Sequence, residues 1–142
     1  LSAYADTSFV ASLYMPDANS ARAGQRMRRV PLPLLIGSLG ELELANAFRL
    51  RVFRAEMRNS EARAGVAAFH EDLRSGIIAV KPMPDEGYAA AERLASRWTA
   101  RLGTRTLDIL HVACALALEA ESFYTFDDRQ RRLAAAAGLK AA

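Results

Sequence analysis

Two rhythms of apolar and polar positions run along the chain: short β-type runs alternate with longer stretches of helical spacing. Ala3-Tyr4-Ala5 is a short apolar run ending at Asp6 and predicts a first strand. Thr7 or Ser8 can cap a helix to about Met15. Pro16 stops it, and Asp17 can cap a second helix toward Arg29. Leu34-Leu35-Ile36 follows Pro31 and Pro33 and reads as a buried strand. A long helix is expected from about Gly40 to Met57, with Leu42, Ala45, Phe48 and Val52 as its apolar positions. Asn59 or Ser60 can cap another helix, which should end before Gly76. The continuous run Ile77-Ile78-Ala79-Val80 predicts a strand covered on both faces. Pro84 opens a helix through Trp98, and Thr106 caps the next, Leu107 to about Ala120. Ser122–Phe126 is the clearest strand. Asp127 ends it, a last helix runs to Ala137, Gly138 can close that helix, and Leu139 onward predicts a weak terminal strand.

This alternation predicts the α/β class, with a mostly parallel central sheet flanked by helices. The chain has 142 residues, no internal repeat and no Gly/Ser-rich linker, so one domain over residues 1–142 is expected. With 51% hydrophobic and 25% charged residues it has a globular composition. No apolar run reaches the ~18 residues of a membrane span, and no membrane association is expected. The N-terminal residues do not read as a signal peptide. Cys114 is the only cysteine, which excludes an internal disulfide and a thiolate zinc cluster and suits a cytoplasmic location.

The net charge of +3 comes almost entirely from Arg, whose planar fork matches phosphate. Arg22, Arg26 and Arg29 fall on one face of a predicted helix, as do Arg51, Arg54 and Arg58. Such rows could track a nucleic-acid backbone, although a solvated helix face is the ordinary reading.

Sites in open α/β sheets form beyond the carboxyl ends of the strands. Asp6 and Asp127 stand at the ends of two predicted strands. Asp108 lies in the first turn of a helix beside Thr106, and Glu43 in the first turns of the helix after Leu34–Ile36. Taken singly, each acid has a structural explanation, as a helix cap or a favourable charge at a helix start. Together they could meet at one rim, where carboxylates repel unless a cation intervenes. Mg²⁺ or Mn²⁺ is the natural partner of such oxygen ligands. A cation held there would activate water and offset the charge growing on a phosphate under attack.

Four segments carry a family resemblance. Ala5-Asp6-Thr7-Ser8 resembles the opening D-[ST]-[ST] motif of PIN domains. Glu43-Leu44-Ala45-Asn46-Ala47 is similar to their E-x-x-N-A segment. Leu107-Asp108-Ile109-Leu110-His111-Val112-Ala113 resembles their L-D-x-L-H-x-A helix, and Thr125-Phe126-Asp127 with Arg129 their terminal T-x-D element. The four occur in the family's order over nearly the whole chain. The short form resembles the VapC toxins of VapBC toxin–antitoxin pairs. The resemblance implies Mg²⁺- or Mn²⁺-dependent cleavage of RNA to 5′-phosphate and 3′-hydroxyl ends, a homodimer, and inactivation by a VapB-type antitoxin. It makes Asp6, Glu43, Asp108 and Asp127 the expected catalytic and metal-binding set. Asp6 and Asp108 are the expected direct ligands, with Glu43 and Asp127 either ligating or orienting bound water.

Neighbouring residues admit two readings each. Ser8 and Thr125 could hydrogen-bond the carboxylates or serve as cap and strand residue. His111, one turn beyond Asp108, could be a ligand or base, but packing is the ordinary role. Asp128 competes with Asp127, which the T-x-D spacing favours. Glu41 competes with Glu43, which Asn46 favours. Cys114 and Trp98 read as packing residues. A haloacid-dehalogenase-like phosphatase also begins from an Asp after the first strand, but its second Asp would fall at Ser8, and Lys81 is poorly placed. A PIN-fold binding module that does not cleave is the rival from another class. A P-loop ATPase is excluded by the absence of its glycine-rich Lys motif.

Overall fold

The computed structural model describes residues 1–142. Five parallel strands form one sheet: β1 (Ala3–Ala5), β2 (Leu34–Gly37), β3 (Ile78–Lys81), β4 (Ser122–Tyr124) and β5 (Lys140–Ala141). Their order is β3-β2-β1-β4-β5. The chain therefore builds outward from β1 on one side, then returns to its other side with β4. The carboxyl ends of β1 and β4 flank the point where strand order reverses, the place where such sheets leave a crevice.

Seven helices cover the sheet: α1 (Thr7–Tyr14), α2 (Ser20–Met27), α3 (Ser38–Phe53), α4 (Asn59–Arg74), α5 (Gly87–Leu102), α6 (Thr106–Ala117) and α7 (Asp128–Ala136). Alternation along β1 divides the interior in two. Ala3 and Ala5 join Phe9, Leu44, Phe48 and Phe69 in a core built with α1 to α4. Tyr4 points the other way, among Leu94, Val112, Phe123 and Leu133 from β4 and α5 to α7. No helix is long and apolar enough to cross a membrane.

Several sequence expectations need correction in detail. The first helix is capped by Asp6, not Thr7 or Ser8, because the Asp6 carboxylate accepts the Phe9 N–H. The second begins after Asn19 and ends at Met27, so Arg29 lies outside it. Asp17 instead accepts the Asn19 N–H and the Ser20 hydroxyl. The buried line of α3 is Gly40, Leu44 and Phe48, which turns Leu42 out to solvent. That helix stops at Phe53, and Ala55 turns the chain with φ of 57°, so Arg51, Arg54 and Arg58 do not share one helix. Arg58, not Asn59 or Ser60, precedes α4 as its cap. α5 starts at Gly87, three residues after Pro84, and continues past Trp98 to Leu102. Arg105, not Thr106, stands at the cap position of α6, which ends at Ala117. β3 is an edge strand, with Lys81 exposed and Ile78 its only fully buried member, rather than a strand covered on both faces. β4 ends at Tyr124, so Thr125 and Phe126 have already left the strand.

Gly37 is a steric necessity of this arrangement. A Cβ there would lie 3.0 Å from the Tyr4 hydroxyl and 3.3 Å from Cys114 Sγ, where β2 crosses the α6 side of the sheet.

Candidate functional site

Asp6 leaves the end of β1, and its N–H still donates to the Tyr124 carbonyl of β4. This ladder bond fixes where its side chain emerges. Only 4% of Asp6 is exposed. Its carboxylate accepts three hydrogen bonds: from Thr125 Oγ1 at 2.6 Å, Ser8 Oγ at 2.7 Å and the Phe9 N–H at 3.1 Å. Burial pushes the carboxyl above the ordinary Asp range, and the Thr125 and Ser8 hydroxyls bring it only part of the way back. Ser8 Oγ also accepts the Phe126 N–H at 2.9 Å, which ties the start of α1 to the chain leaving β4. Both hydroxyls thus take the hydrogen-bonding roles open to them in the sequence.

Thr125, fully buried, connects Asp6 to the next acid. Its Oγ1 accepts the Asp127 N–H at 3.0 Å while donating to Asp6. Asp127 caps α7 through the Gln130 N–H at 3.0 Å, and its other oxygen, Oδ2, lies 3.7 Å from Arg105 Nη2. Asp128 pairs with Arg131 and makes no hydrogen bond or ion pair with the other acids' partners Thr125 Oγ1 and Arg105.

Arg105 joins the helix acid to the strand-end acid. Asp108 accepts the Arg105 N–H at 3.3 Å and its Nε–H at 3.2 Å, so both bonds run from Arg105 to the acid at the start of α6. The same guanidinium reaches Asp127. Its hydrogen bond and charge pairing with Asp108 hold Arg105 above its usual range, with smaller contributions from Asp127 and Glu43. Part of the charge of these acids is therefore met within the chain, by Arg105. The signal was present in the sequence: an acid three residues after a helix cap position is a local pairing spacing.

Glu43 belongs to a second, adjoining group. Its Oε1 accepts from Thr7 Oγ1 at 2.7 Å and lies 2.5 Å from His111 Nε2. Burial pushes Glu43 up, but the hydrogen bond and charge of His111, with the Thr7 hydroxyl, outweigh it and hold the carboxyl below the usual Glu range. His111 is packed, as expected, yet it also touches a site acid. Its Nδ1 lies 3.0 Å from the Tyr4 hydroxyl, which burial pushes far above the ordinary tyrosine range. The two ring nitrogens of His111 are thus both engaged, Nδ1 with the Tyr4 hydroxyl and Nε2 with Glu43. Tyr4 is a residue that sequence reading missed, because nothing in an apolar strand marks one hydroxyl as a partner for a histidine on α6.

Hydrogen bonds and ion pairs thus link Asp6, Asp127 and Asp108 through Thr125 and Arg105. Glu43 stands beside them through Thr7, the residue after Asp6. No three Asp, Glu, His or Cys side chains converge tightly enough to enclose a metal ion as the side chains stand. The donor set is nonetheless made of carboxylate oxygens, the chemistry that suits Mg²⁺ or Mn²⁺.

The fold recurs in solved structures. Mycobacterium tuberculosis VapC20, described as a sarcin–ricin-loop-cleaving toxin, is similar with a TM-score of 0.69 and 23% identity, over 97% of this chain and 96% of that one. FitAcB from Neisseria gonorrhoeae gives 0.69 and 16%, over 98% and 95%. VapBC2 from Rickettsia felis, solved with a fragment of promoter DNA, gives 0.68 and 13%, over 100% and 98%. No curated protein matches the sequence. A sequence profile of the PIN domain matches residues 3–136, a span that includes all four acids and leaves the phosphatase reading without support. The chain belongs to the PIN-domain family.

Proposed function

We propose that this protein is a metal-dependent endoribonuclease that hydrolyses RNA phosphodiester bonds, and that it is the toxin of a type II toxin–antitoxin pair. The observation that carries the reading is the connected set Asp6–Thr125–Asp127–Arg105–Asp108 at the strand-order reversal. Asp6 and Asp108 are the direct ligands of Mg²⁺ or Mn²⁺ in this reading, with Glu43 and Asp127 completing the set. The metal would activate the attacking water and offset charge on the phosphate. Thr125 and Ser8 orient Asp6, while His111 and Thr7 orient Glu43. Arg105 holds Asp108 and Asp127 in place through its guanidinium.

Likeness to VapC20 and VapBC2 supports a toxin role and a VapB-type antitoxin as partner; a homodimer as the working state is part of the same proposal and follows from the family resemblance alone. An antitoxin Arg presented to these carboxylates would meet the chemistry that Arg105 already meets within the chain. A PIN fold that binds RNA without cutting it is the competing outcome.

Asp108→Asn decides between them. The substitution keeps size and one acceptor for Arg105 but removes the charge. The purified variant should retain its melting behaviour and lose at least about a hundredfold of Mg²⁺-dependent RNA cleavage, a loss of the order seen when one preorganised electrostatic group is removed. Full cleavage by the variant would take Asp108 out of the site. Binding without cleavage by the wild type, in Mg²⁺ and in Mn²⁺, would favour the non-cleaving module.

A further inference from the structure

A group of guanidiniums stands immediately beside the acids. Arg22 and Arg26 lie four residues apart on α2 and so share one helix face. Their guanidinium carbons sit 5.2 and 5.0 Å from the centre of the Phe126 ring. That ring is stacked on the buried Phe9 at 5.4 Å, with 24° between planes, so the platform is anchored in the core. Arg26 Nη1 donates to the Thr125 carbonyl at 3.5 Å, and Arg131 Nη2 donates to the same oxygen at 3.2 Å. Three cationic side chains are thereby gathered around residues 125 and 126, next to Asp127.

Charge within this group is unbalanced. Arg131 is paired with Asp128, but neither Arg22 nor Arg26 has a carboxylate partner. Arg22 is exposed, and its guanidinium hydrogen-bonds only to the Asn19 side chain. Burial, then the charges of Arg22 and Arg131, hold Arg26 below the usual arginine range. Crowding like charges opposes folding, and an anion would relieve it. Exposed Arg93 and Arg97 sit at the same interval of four on α5, on the other face of the sheet, and make a matched comparison away from the acids.

We propose that Arg22 and Arg26, held over Phe126, form a subsite for a backbone phosphate of single-stranded RNA beside the phosphodiester facing Asp6 and Asp127. The inference rests on the ribonuclease reading and adds to it the place where the substrate is gripped. The guanidinium forks bind phosphate oxygens, and the face of the ring keeps the forks oriented.

The test is binding of a short fluorescein-labelled single-stranded RNA, read by anisotropy across a salt series in EDTA. The parent is Asp108→Asn, so that cleavage cannot intrude. Arg22→Gln with Arg26→Gln should weaken binding at least about tenfold, since charge-assisted contacts are lost. It should also flatten the salt slope by about 1.4, which is roughly 0.7 for each single-strand phosphate contact. Arg22→Gln alone, which gives up only an exposed contact with Asn19 and the stacking over Phe126, should produce about half of that flattening with a melting point changed little. Arg93→Gln with Arg97→Gln makes the same charge change elsewhere and should leave the slope unaltered.

An unchanged slope and affinity in the Arg22/Arg26 variant, with the parent still binding RNA, would overturn the subsite and leave the ribonuclease reading standing. An equal loss in the Arg93/Arg97 variant would overturn it too, since the effect would then be net charge. If the parent binds no RNA but binds a poly-glutamate peptide through Arg22 and Arg26, the face serves an acidic protein segment, and subsite and substrate both fail.

Discussion

Asp6 and Asp108 face the same difficulty in two parts of the molecule and meet it by different means. Both carboxylates are buried. At the end of β1, Asp6 is supported by uncharged donors alone: two hydroxyls and one backbone N–H. At the start of α6, Asp108 is supported by a full positive charge, Arg105, which it shares with Asp127. Neutral dipoles satisfy hydrogen bonding without cancelling charge, and burial still leaves Asp6 above its ordinary range. A metal arriving at Asp6 would therefore relieve a standing penalty. At Asp108 it would compete with a cation already present.

The largest expected effect comes from breaking the support of Asp6. Thr125→Val keeps the shape but removes the 2.6 Å donor to a buried carboxylate and the acceptor for the Asp127 N–H. Urea unfolding in EDTA at pH 7.5 should show a loss of about 1.5–3 kcal/mol, the usual scale for a hydrogen bond to a charged group. Thr125→Ser, which retains the hydroxyl, should lose much less. Equal losses in the two variants would assign the effect to packing.

Changing Asp6 itself separates its charge from its capping role. Asn caps a helix about as well as Asp, so Asp6→Asn keeps the Phe9 contact, whereas Asp6→Ala should cost about 1 kcal/mol. The folded carboxyl titrates above the unfolded value of 3.8. Below the unfolded value the acid is protonated in both states and carries no penalty. As pH rises toward the folded value, the unfolded chain ionises first and the native state loses ground. Above the folded value the penalty is complete. Metal-free Asp6→Asn should therefore gain on the wild type across that window and be no less stable at pH 7.5, by melting in EDTA. A steady deficit from pH 4 to 7.5 would mean that its hydrogen bonds outweigh its charge.

The smallest effect should appear on the Asp108 side. Arg105→Gln removes the competing cation and should tighten Mn²⁺ binding roughly two- to fivefold by calorimetric titration, the scale of an exposed ion pair. Weaker binding would show that Arg105 orients the acids more than it competes for them.

Much of this could be read before the fold was known. Strand positions and the four acids stand out because strand ends and helix starts carry recognisable residues, and Asp6, Glu43, Asp108 and Asp127 keep their spacing. Arg105 was legible only from local pairing with Asp108. A reading that weighed the acids against one another passed over a cation three residues away. The link through Thr125 depends on β4 lying beside β1, a long-range pairing that periodicity does not encode. The Leu42 error has a similar origin: Leu42 and Leu44 are both apolar, and only contact with the core decides which one turns inward. Arg22 and Arg26 kept their shared face because the interval of four lies inside α2, whereas Arg29 fell beyond its end.

Thr125 serves the acids and the arginines from opposite ends of one residue, its hydroxyl toward Asp6 and its carbonyl toward Arg26 and Arg131. The spacing between those contacts is set by covalent bonds and cannot stretch as a loop can. A strand gripped at the arginines would be presented to the acids at a constant offset along its backbone. Base identity could then decide how readily a strand enters, while the ruler setting the distance from the proposed grip to the proposed cut would be a single threonine.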